Sequence, residues 1–63
     1  MNNKVMNELI KEYSERQNKI EDLAKHSIYN VKEIHSRVQG IMITMDLEWD
    51  IAFELFKRLN EIK

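Results

Sequence analysis

Helix-breaking residues are almost missing from this chain. It has no proline and a single glycine, Gly40, in 63 residues. Proline removes a backbone donor and clashes with the preceding turn, and interior glycine loosens the helix. A chain nearly free of both is free to form long helices, and little else in it suggests a linker or a repeat.

The apolar spacing agrees. Val5, Met6, Leu9, Ile10, Tyr13, Ile20, Leu23 and Ala24 fall within an arc of about 140° at 100° per residue. Met6, Leu9, Tyr13, Arg16, Ile20, Leu23 and Ser27 also follow the 3-4-3-4 spacing of a coiled-coil seam. The acid-first pairs Glu12–Arg16, Glu15–Lys19 and Glu21–Lys25 add about 0.2–0.5 kcal/mol each to a helix. Near "HSIYN", Asn30 could cap a new helix with Glu33 reaching back to it. Against a break, the apolar phase runs on through Ile28, Val31, Ile34 and Val38. The expectation is one helix from about 3 to 39, continuous or kinked near 27–30. Gly40 then reads as the left-handed residue that ends it, after His35 and Arg37.

The segment "GIMITMDLEWDIAFELF", residues 40–56, fits two periods. Its odd positions are all apolar from Ile41 to Leu55, the period of a strand. Trp49, Ala52, Phe53, Phe56 and Leu59 recur at helical spacing instead. Charge decides between them. Acids crowd the front (Asp46, Glu48, Asp50, Glu54) and bases the rear (Lys57, Arg58, Lys63), which suits a helix dipole. The expectation is a helix over 46–62 with Asp46 as its N-cap. Residues 41–45 are left as either a short arm or a helical bridge.

Size limits what such helices can do alone. A 63-residue chain forms a single small domain, 1–63, and its core is marginal without a staple. There is no cysteine, so disulfides and thiolate metal sites are excluded. Association is the staple that remains. Ten basic and eleven acidic residues give a net charge of −1, which provides no global attraction to nucleic acid or to an anionic membrane. No apolar run approaches a bilayer span, and "MNNKVMNELIKEY" has no signal-like apolar stretch. A cytoplasmic protein is expected. Its Lys-, Asn-, Ile- and Glu-rich composition favours AT-rich codons and hence a bacterial, plasmid or phage source.

No catalytic motif appears. Apart from the tyrosines the hydroxyls are Ser14, Ser27, Ser36 and Thr44, with no nucleophile elbow, phosphate loop or metalloprotease helix among them. His35 has no second ligand at i+3 or i+4 and reads as a hydrogen-bonded boundary histidine, and His26 points to another face. Asp46, Asp50 and Glu54, at i, i+4 and i+8, read as a solvated helix front before they read as a cation site. No catalytic residue, cofactor or metal is expected. Arg16 and Gln17 interrupt the first apolar stripe. They either fix the register of a helix pair or, in the case of Arg16, snorkel past the core edge to Glu12.

The last helix has an apolar band of about 200°, wider than one neighbour covers. Leu47, Ile51 and Leu55 lie off its main inner arc. The fold is therefore expected to be all-α: a long N-terminal helix packed on a C-terminal one, with the bundle completed by homo-oligomerisation. Leu9, Tyr13, Ile20, Val31, Trp49, Phe53 and Phe56 are the candidate self-association residues. Leu47, Asp50, Ile51, Glu54 and Leu55 are the candidates for contact with another protein. The expected function is a non-enzymatic protein-binding regulator, inhibitor or assembly factor. The expected partners are the chain itself, as a dimer or higher oligomer, and another protein. The alternative is a nucleic-acid-associated regulator of plasmid or phage type, using Lys4, Lys11, Lys25 and Lys32 against the backbone.

Overall fold

The computed structural model describes residues 3–62, which form three helices: α1 (Asn3–Lys25), α2 (Val31–Met45) and α3 (Trp49–Leu59). The described residues contain no strand, so the fold is all-α. No described helix is long and apolar enough to cross a membrane.

The expected helix over 3–39 is two helices. Asn30 is extended (φ −87°, ψ 172°) and its side chain accepts the Glu33 N–H at 2.8 Å. Glu33 accepts the Asn30 N–H in return at 3.5 Å. This capping box satisfies donors that a broken helix would leave bare. Just before it, the Ser27 hydroxyl accepts the Tyr29 N–H at 3.1 Å. The continuous apolar phase does not prevail because Ile28 is turned out to solvent, 93% exposed. Tyr29 turns inward instead. Its ring lies 5.5 Å from that of Phe56, and its hydroxyl donates to Asn60 at 2.9 Å.

Gly40 does not stop α2. The helix runs through it to Met45, so 41–45 is a helical turn and not an arm. The stop is Asp46, in left-handed backbone at φ 53°, ψ 53°. The Leu47 N–H reaches back to the Met42 carbonyl at 3.1 Å, and Leu47 packs on the core. This is the six-to-one bond of a Schellman end, with its usual apolar contact. Asp46 is thus a C-terminal cap and not the N-cap of the next helix. That role falls to Glu48, in extended backbone, with α3 starting at Trp49 and ending at Leu59. The end of α3 repeats the device. Glu61 has φ 54°, the Glu61 N–H bonds the Arg58 carbonyl, and the Ile62 N–H bonds that of Lys57 at 2.8 Å. The one glycine sits mid-helix, where it is about 0.5–1 kcal/mol worse than alanine.

The core is Ile20 and Leu23 from α1, Ile34 and Val38 from α2, and Trp49, Ala52, Phe53 and Phe56 from α3. Trp49 and Phe53 stack with centroids 4.8 Å apart. Burying each large side chain stabilises by about 1.5–3 kcal/mol. All of these positions lie at or beyond residue 20. Residues 3–15 of α1 are exposed throughout. Thirteen residues span about 20 Å of helix, and the molecule reaches 41 Å in its longest dimension. Its radius of gyration is 12.8 Å, against about 11 Å for a compact domain of this length. The first half of α1 is an overhang.

Candidate protein-contact surface

The overhang carries the same apolar stripe that anchors the rest of α1. Toward the C-terminus the stripe is Ile20 and Leu23, both buried. Toward the N-terminus it is Val5, Met6, Leu9, Ile10 and Tyr13, which are 42–70% exposed. Arg16 marks the boundary. Its guanidinium pairs with Glu12 and lies 5.3 Å from the centre of the Trp49 ring. Of the two expectations for Arg16, this geometry is the snorkelling one. Lys19 stands beside it, 5.9 Å from the Trp49 ring and 3.5 Å from an Asp50 carboxylate oxygen.

The candidate self-association residues separate into two groups. Ile20, Trp49, Phe53 and Phe56 are buried in the chain's own core, and Val31 is half-buried against it. Leu9 and Tyr13 are exposed on the overhang. The partner candidates separate as well. Leu47 closes the end of α2 and packs on the core, and Leu55 is half-buried. Ile51 is 54% exposed. Asp50 pairs with Lys19, and Glu54 pairs with Lys57 at 3.8 Å and Arg58 at 3.4 Å. The acidic stripe therefore ends in a helix cap and in ion pairs. Among the described residues no group of three or more His, Cys, Asp or Glu side chains could hold a metal ion.

Two openings flank α3. One lies between α3 and α1, a cleft of about 350 Å³ lined by Lys19, Asp22, His26, Asp50, Glu54 and Lys57, with Leu23 and Phe53 at its base. It is lined mainly by charged groups. The other is an apolar groove of about 530 Å³ between α2 and α3. Gly40, Ile41, Thr44 and Met45 form its α2 wall, and Leu55, Phe56 and Leu59 its α3 wall, with Arg37 its only charged residue among those described. No α1 residue lines it, so it opens on a part of the α2–α3 pair that α1 leaves uncovered. A Cβ built on Gly40 meets nothing within 4 Å.

Sequence reasoning missed the groove. Its walls come from the two helices on either side of the 46–48 turn, and with α2 ended at Gln39 one wall did not exist. Met6, Val5 and Ile10 belong to the open stripe as much as Leu9 does, and their periodicity was the signal. Compared with protein-family models, with curated proteins and with solved structures, the chain matches none of them.

Proposed function

We propose that this chain is a non-enzymatic binding protein, a small regulator, inhibitor or assembly factor, that acts through protein contacts and assembles with itself into a helical bundle. One observation carries the reading: the open apolar stripe of residues 3–15. An isolated helix of this length is marginal in water, and most helical stability comes from packing of the apolar face. No acidic residue lies in the first turn of α1 to favour its start. The helix therefore wants a cover for Val5, Met6, Leu9, Ile10 and Tyr13. Large apolar side chains grouped on one face mark an interaction site.

The test is absolute mass by light scattering behind a sizing column across a dilution series, with amide exchange on the same samples. The wild type is expected at a multiple of 7.6 kDa, and Leu9→Glu with Tyr13→Glu at the monomer mass with its core intact. A wild-type monomer at every concentration would overturn self-assembly, and slow exchange of residues 3–15 in that monomer would overturn the protein-contact reading as well, since the stripe would then need no cover.

A further inference from the structure

We infer that two copies of this chain form a closed two-fold dimer in which the overhang of each α1 lies in the α2–α3 groove of the other. The inference rests on the protein-contact reading above and names the occupant of the stripe.

The first argument is glycine. Among the described residues, the two left-handed helix ends are made by other residues, Asp46 and Glu61. Gly40, the sole glycine, sits in regular helix with open space beside it. Nothing among the described residues calls for a missing side chain there. A second helix lying close against the groove does, because absence of a Cβ lets backbones approach.

The second argument is topology. The C-terminal half of α1 packs Ile20 and Leu23 against its own α2–α3 pair, and the groove, which no α1 residue lines, lies on a face of that pair that α1 leaves open. The overhang continues the same stripe past the edge of that pair. A two-fold rotation about an axis across α1 sets a second α2–α3 pair beneath the overhang, groove upward. By the same operation the second overhang lies beneath the first groove. The outcome is three layers, with one α1 outside each face and four short helices between. Both contacts are used twice and no sticky end remains, as closed symmetry requires.

The third argument is area. Five large side chains about half exposed present on the order of 500 Å² of apolar surface per copy, and α1 paired with α1 alone would fall short of the roughly 1,200–2,000 Å² of a stable interface. Adding both grooves, with Ile41, Met45 and Leu59, brings the total into that range. Charge fits too. Arg37 is the groove's only charged lining residue among those described, and Glu8 flanks the stripe beside Glu12, which pairs with Arg16.

The chain lacks cysteine, so single cysteines report the pairing directly. Leu9→Cys and Thr44→Cys chains are mixed and joined with a short bismaleimide, and mass is followed alongside. The expected product is a 9–44 linked dimer, with little from either chain alone. Gly40→Trp, which fills the groove, is expected to keep its helical signal and to weaken the dimer about 100-fold. A dimer that links mainly 9 to 9, or that Gly40→Trp leaves intact, overturns the exchange while the protein-contact reading stands. A wild-type monomer at all concentrations overturns the exchange and self-association together, and leaves the stripe to a different protein.

Discussion

Asp46 and Glu61 hold left-handed backbone at φ 53° and 54°, a conformation that costs an L-residue about 1–2 kcal/mol. Each is tolerated because the next residue buries an apolar side chain, Leu47 and Ile62, and closes a six-to-one hydrogen bond. Glycine would hold either position without strain, at some entropic cost in the unfolded chain. Asp46→Gly and Glu61→Gly are each expected to raise stability by up to about 1 kcal/mol, read as a higher urea midpoint with an unchanged slope. An unchanged or lower midpoint would show that the carboxylates earn their place by other contacts. These two residues also explain the misplaced helix end. Glycine is the commonest left-handed residue, so Gly40 drew the boundary that Asp46 makes.

At the level of elements, the break between α1 and α2 is set by local hydrogen bonds against an unbroken apolar phase. Asn30 and Glu33 satisfy each other's backbone donors, and Tyr29 replaces Ile28 as the inward residue by packing on Phe56 and bonding Asn60. Asn30→Ala is expected to cost about 1 kcal/mol and to speed amide exchange in the first turn of α2, with Asn30→Asp close to neutral. An alanine variant as stable as the wild type would mean that Tyr29 alone holds the turn. The capping box was legible in the sequence. That it outweighs the stripe was not, since the outcome depends on Tyr29 meeting Phe56 of α3 and Asn60 just beyond it, far along the chain.

The whole molecule is extended for its mass. It exposes 5195 Å², where a compact monomer of 7.6 kDa exposes about 4,300 Å². The exposed overhang and the open groove both contribute to the excess. If association covers them, unfolding is linked to concentration by mass action. The thermal midpoint of the wild type is then expected to rise with protein concentration, while that of Leu9→Glu stays fixed. A wild-type midpoint independent of concentration, followed by circular dichroism over a hundredfold dilution, would count against association.

Amino-acid order alone determined that the chain is helical, that the stripe from Val5 to Ala24 shares one face, and that Asn30 can start a helix. Those are local properties, fixed by spacing, capping and the missing proline. Tertiary structure decided which parts of each apolar face are used. Ile20, Trp49, Phe53 and Phe56 were candidates for contact between copies, and a third helix buries them within one chain. Leu9 and Tyr13 share a face with Ile20 and stay open. The difference lies in reach: α2 and α3 are too short to run beneath all of α1, and no local pattern records where that cover ends.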